Sequence, residues 1–130
     1  MGEVGRRGLA WLAALAAAAF GAVTLQAGGG VLFGPEAARE AAGAYVPFVV
    51  WFNFVAGFAY LVGAAGLVLR APWARWLALA IAVATLAVYV ALGVHVLTGG
   101  AFETRTVAAM AVRIAFWLVM ALVATAVSKR

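Results

Sequence analysis

The chain has 130 residues, of which 68% are hydrophobic and only 10% charged, with a formal net charge of +5 and no cysteine. That apolar fraction lies well above the roughly half found in soluble domains, so the sequence reads as one integral membrane domain. The missing cysteines exclude disulfides, thiolate metal sites and dithiol redox chemistry, and the basic residues sit at the ends of apolar runs instead of forming the stripe that nucleic acid requires.

The apolar material comes in blocks of about 20 residues, the length an α-helix needs to cross some 30 Å of hydrocarbon. Runs such as WLALAIAVATLAVYVALGVHVL are apolar on every face, which excludes the period-two alternation of a membrane β-barrel. Spans are expected at 9–27, 46–69, 76–97 and 106–127, giving an all-α bundle of four transmembrane helices.

The segment RRGLAWLAALAAAAFGAV has the basic start and apolar centre of a secretory signal, but its apolar run is long for a signal core and no clear small-x-small cleavage site follows. It is therefore read as span one. Gly28 to Gly30 and Gly99 to Gly100 are placed to end helices, whereas Pro47 and Pro72 suit helix starts, where a missing N–H costs nothing. The connector GPEAAREAAGAYVP predicts a short surface helix starting near Pro35, with Glu36 and Arg39 at helical spacing; it serves either as a linker on the membrane or as a lid.

Arg6 and Arg7, Arg70 and Arg75, and Lys129 with Arg130 mark one side of the membrane, and the other side carries Arg39 and Arg105 with Glu36, Glu40 and Glu103. The positive-inside rule places both termini in the cytoplasm and the short surface helix outside, as expected for a multi-pass protein of the inner (plasma) membrane.

The polar residues of the spans then concentrate near the outer leaflet. Asn53 lies in span two, His95 near the end of span three, Arg113 about 10 Å into span four and Gln26 near the end of span one. Thr106, Met110, Arg113 and Trp117 form one stripe, which Glu103 extends, while Asn53, Gly57, Tyr60 and Gly63 form another. Convergence of these stripes predicts an outward-facing pocket of Asn53, His95, Glu103, Arg113, Tyr60 and Trp117. In it His95 and Arg113 donate hydrogen bonds to a ligand, Glu103 pairs with Arg113, and Tyr60 and Trp117 meet the ligand's apolar part.

The competing reading makes the arginine a fastener of spans three and four, Asn53 an interhelical hydrogen-bonding group and the two aromatics core packing. A single histidine with one nearby glutamate does not make a zinc or copper site, and no metal is expected. Trp11, Trp73 and Trp76 at one end, and Tyr45, Phe48, Trp51 and Phe102 at the other, suit membrane interfaces; Gly57, Gly63 and Gly66 suit close helix approach.

The stretch AGFAYLVGAAGLVLRAPWARWLALAIAV resembles the second helix, basic turn and third helix of DoxX-like proteins, small four-span bacterial membrane proteins. Some of these are associated with quinone-linked oxidation, so the resemblance implies a quinone or other lipophilic ligand, and it transfers no catalytic residue. The expectation is thus a ligand-binding protein, with catalysis left open. Its rivals are an accessory subunit of a larger membrane complex or homo-oligomer, and a proton or ion pathway. The last is disfavoured because the inner halves of the spans offer little polarity beyond Thr85, Tyr60 and Thr125.

Overall fold

The computed structural model describes residues 1–129; Arg130, which the sequence analysis assigns to the basic end, lies outside the described residues. The described chain is all helical: α1 Glu3–Phe33, α2 Glu36–Ala42, α3 Pro47–Leu69, α4 Ala74–Leu97 and α5 Thr104–Val127. All but α2 are long and apolar enough to cross a membrane. α1 packs chiefly on α3 and α4 on α5, and thinner seams between α1 and α5 and between α3 and α4 close the bundle.

The expected spans two to four match α3, α4 and α5 to within two residues at each end. Span one does not. The α1 helix runs 31 residues, straight through Gly28 to Gly30, and ends where the Gly34 N–H donates to the Gly30 carbonyl at 2.9 Å. The glycines read as a terminator are contact glycines. A Cβ on Gly28 would stand 3.2 Å from the Phe54 Cβ, so the missing side chain lets α1 lie against α3.

The same device recurs along this interface: a Cβ on Gly57 would come within 2.9 Å of Leu25, and one on Gly21 within 3.1 Å of the Tyr60 Cβ. Gly63 and Gly66 make room for the rings of Trp117 and Trp73, so the reading of Gly57, Gly63 and Gly66 as close-approach positions holds. The buried face of α1 consists of alanines, glycines and Thr24, because lipid supplies no hydrophobic drive between helices and close backbone packing must hold them together.

The short helix expected near Pro35 is α2, with Pro35 as its N-cap. Arg39 bridges back to Glu36 at 2.9 Å and donates to the carbonyls of Val31 and Gly34 at 3.2 and 3.1 Å, tying α2 to the end of α1. At the other end of the bundle Arg70, only 6% exposed, gathers three chain segments. It donates to Glu3 and, at 2.8 Å, to the carbonyl of Val127, and its own carbonyl accepts the Lys129 N–H at 3.0 Å. The hydrogen bond to Glu3 raises the Arg70 pKa above its ordinary value. Both described ends of the chain and the α3–α4 turn therefore meet at one end of the bundle, and α2 and the α4–α5 turn lie at the other.

Candidate functional site

Under α2 the helices α1, α3 and α5 diverge around a cavity of about 330 Å³. Its polar lining comes from Thr24 on α1, Tyr45 and Asn53 before and on α3, and Arg105, Thr106 and Arg113 on α5. Its apolar lining is made of small or branched residues: Ala27, Gly28 and Val31 of α1, Ala38, Ala41 and Ala42 of α2, and Val50 of α3. Exposed Ala27, Ala41 and Arg105 mark the mouth, whereas Thr24 is only 2% exposed.

Arg113 is half-buried. Its Nη1 donates to Thr24 Oγ1 at 2.9 Å and to Tyr60 Oη at 3.2 Å, and the guanidinium carbon lies 4.8 Å from the centre of the Phe20 ring. Such a stack is favourable when the cation has lost its water. The guanidinium is nevertheless incompletely satisfied, because Nε is buried without a hydrogen-bond partner. The side-chain oxygen of Asn53 is likewise buried and unpartnered. Buried polar atoms normally find partners, so two orphans on residues that line one cavity mark a place where protein groups await something else.

Below Arg113 four aromatic rings close on one another. Phe20 meets Tyr60 at 5.4 Å, Tyr60 meets Trp117 at 4.9 Å, Trp117 meets Phe116 at 5.4 Å and Phe116 returns to Phe20 at 5.0 Å. Tyr60 and Trp117 are 0% and 1% exposed. They form the floor beneath the cationic group and do not line the cavity itself. Trp117 also leaves its indole N–H without an acceptor.

The predicted pocket is thus partly assembled. Asn53 and Arg113 face the cavity, and Tyr60 reaches the site through its hydroxyl. His95 does not join them. It belongs to α4, whereas the cavity is lined from α1, α2, α3 and α5, and its Nε2 lies 2.8 Å from the Ala101 carbonyl. A carbonyl only accepts, so Nε2 carries a proton and the ring fastens the α4–α5 turn, edge-on to Phe48.

The expected Glu103–Arg113 pair is absent among the described residues. Glu103 precedes the first turn of α5 and accepts the Ala44 N–H at 2.8 Å, while Arg113 points away toward α1. The ion pairs that do form join Arg6 and Arg70 to Glu3 and Arg39 to Glu36.

Two site residues escape the sequence reading. Thr24, not Gln26, is the polar group that α1 contributes; Gln26 is exposed. The spacing Ala17, Gly21, Thr24, Gly28 carried that signal, since it continues a stripe of small residues on one helix face. Arg105, off the inward stripe of α5, stands at the mouth and donates from Nη2 to the carbonyls of Ala41 and Ala42 at 3.0 and 2.7 Å. With Glu103 on the adjoining Ala44 N–H, it holds the C-terminal end of α2 on either side of Gly43, whose φ of 70° a side chain would rarely adopt. Comparison with protein-family models, curated proteins and solved structures yields no match to this chain.

Proposed function

We propose that this chain is an inner-membrane protein that binds a small lipophilic anion in the cavity between α1, α3 and α5. The observation that carries this reading is Arg113: a guanidinium set within an apolar span, lining a cavity beside Asn53, with no acidic partner among the described residues. An arginine at membrane depth costs at least about 2.5 kcal/mol. Fastening helices would use that charge against a carboxylate or a set of carbonyls, whereas Arg113 meets two hydroxyls and leaves Nε free. An anion in the cavity would supply the missing charge and acceptors. Asn53 would act beside it, because rotation of its amide exchanges the oxygen for two donors without steric cost.

The ring floor supports a binding role over a through-pathway, since Phe20, Tyr60, Phe116 and Trp117 pack against one another beneath Arg113. The likeness of the α3–α4 segment to DoxX-like proteins supports a lipophilic ligand and makes a quinone the neutral comparison. Titration of the purified protein with anionic amphiphiles and with quinones, followed by Tm, tests the reading. Anions should raise Tm in proportion to saturation, and Arg113→Met and Asn53→Leu should lose the response while remaining folded. A response to quinones alone would overturn the anionic assignment.

In this reading the cavity faces away from the cytoplasm. Arg6, Arg70 and Lys129 gather around Glu3 at the end where the described chain ends meet, and the cavity end carries Glu36, Glu40 and Glu103 against Arg39 and Arg105. By the positive-inside rule the first end is cytoplasmic. Reporter fusions should therefore show a cytoplasmic C-terminus and an external Gly100; external activity at the C-terminus would reverse the orientation.

A further inference from the structure

We infer that the ligand is a compact apolar monocarboxylate, with one carboxylate at the Arg113 end and a short hydrocarbon or aromatic body toward α2. This rests on the proposed anion-binding role of Arg113 and adds the size, charge count and head-group geometry of the ligand.

Size comes first. A cavity of about 330 Å³ corresponds to about eleven waters at roughly 30 Å³ each, so this open pocket has room for about ten non-hydrogen atoms of a ligand. A diacyl lipid or a quinone with an isoprenoid tail would leave most of its body outside. That body would lie outside the mouth formed by Ala27, Ala41 and the exposed, charged Arg105.

The charge count follows from the two arginines. Arg105 shares its surroundings with Glu103, whose carboxylate sits across Gly43 from it, so the mouth is nearly neutral as a unit. Arg113 has no acid beside it among the described residues, and one negative charge balances it. The geometry of its fork narrows the head group further. Among the described residues only Nη1 of Arg113 has hydrogen-bond partners, which leaves the Nε–Nη2 edge without an acceptor, its Nε buried. Two parallel N–H groups on one edge match the two oxygens of a carboxylate.

The polarity gradient orients the rest. Thr24 and Arg113, hydrogen-bonded to each other, lie with Asn53 on the lining, and the side chains of Ala38, Ala41 and Val50 provide an apolar wall whose rim carries Arg105. A body of methylenes or an aromatic ring would be desolvated against that wall while its carboxylate meets the arginine.

The test measures Tm of the full-length protein in detergent against a carboxylate series from acetate through butyrate, hexanoate, octanoate and decanoate to palmitate, with benzoate, the matching alcohols, inorganic phosphate and a short-tailed quinone. The expected result is a maximal rise between butyrate and decanoate or with benzoate, and none with the alcohols. Ala41→Leu should move the optimum to shorter chains and Val50→Ala to longer ones, so the outcome does not depend on one variant folding. Arg113→Gln should weaken the response of the best carboxylate by about tenfold or more, the loss of a charge-assisted hydrogen bond.

A maximum at acetate, phosphate or palmitate would overturn the compact-body proposal and leave the anion reading standing. An optimum that neither Ala41→Leu nor Val50→Ala moves would also overturn it. A flat response to every anion would overturn both.

Discussion

Trp117→Ala should lower the stability of the purified protein by about 3 kcal/mol, the low end of the range for removing a buried tryptophan. The ring is 1% exposed, packs on Tyr60 and Phe116, and fills the space that Gly63 leaves on α3. In water such a deletion loses transfer free energy and packing together. Between membrane helices the transfer part is small, because lipid tails are as apolar as the core, so the cavity term carries the loss. Trp117→Phe separates the two contributions of the residue. It keeps an aromatic ring while deleting the buried indole N–H that has no acceptor, so its cost should be less than half that of alanine. Chemical unfolding in mixed micelles reads both variants; equal losses would show that the indole N–H has a partner after all.

Arg113→Met is expected to abolish the response to anions while leaving the stability of the ligand-free protein within about 1 kcal/mol of the parent. The estimate sets the membrane-depth cost of the arginine, about 2.5 kcal/mol at least, against two hydrogen bonds to hydroxyls at about 1 kcal/mol each and a stack on Phe20 at about 0.5 kcal/mol, so the terms nearly cancel. A residue kept for binding shows this separation of ligand response from stability. A helix fastener would behave differently: Arg113→Met would lower Tm and no anion would shift the parent. That outcome would favour the accessory-subunit reading, in which the polar cluster fixes packing.

The fold was largely legible because length and apolarity decide what can cross a bilayer, and α3, α4 and α5 fall where those two properties put them. Span one failed at its far end for a definable reason. Glycine serves both as a helix terminator and as a close-contact residue, and only the presence of Phe54 opposite Gly28 decides between them. Which residues gather at the cavity was less legible. Asn53, Tyr60, Arg113 and Trp117 face inward as their stripes predict, yet His95 lies on the helix that does not border the cavity. Helical spacing shows which residues share a face and leaves open which neighbour that face meets. Glu103 shows a related limit. A stripe extended past the helix start assumes helical backbone, and the extended conformation of Glu103 turns its carboxylate to Ala44.

The pairing of α1 with α3 and of α4 with α5 bears on how the protein is made. Each pair is a contiguous hairpin, so the first can dock while the ribosome is still synthesising the second, and synthesis from the N-terminus favours that order. The contacts around Arg70 cannot be completed until α5 has been made, because they need the Val127 carbonyl at its end and the Lys129 N–H just beyond it. During biogenesis Arg70 would therefore hold the first hairpin through Glu3 alone, and the arrival of the residues that follow α5 would join it to the second.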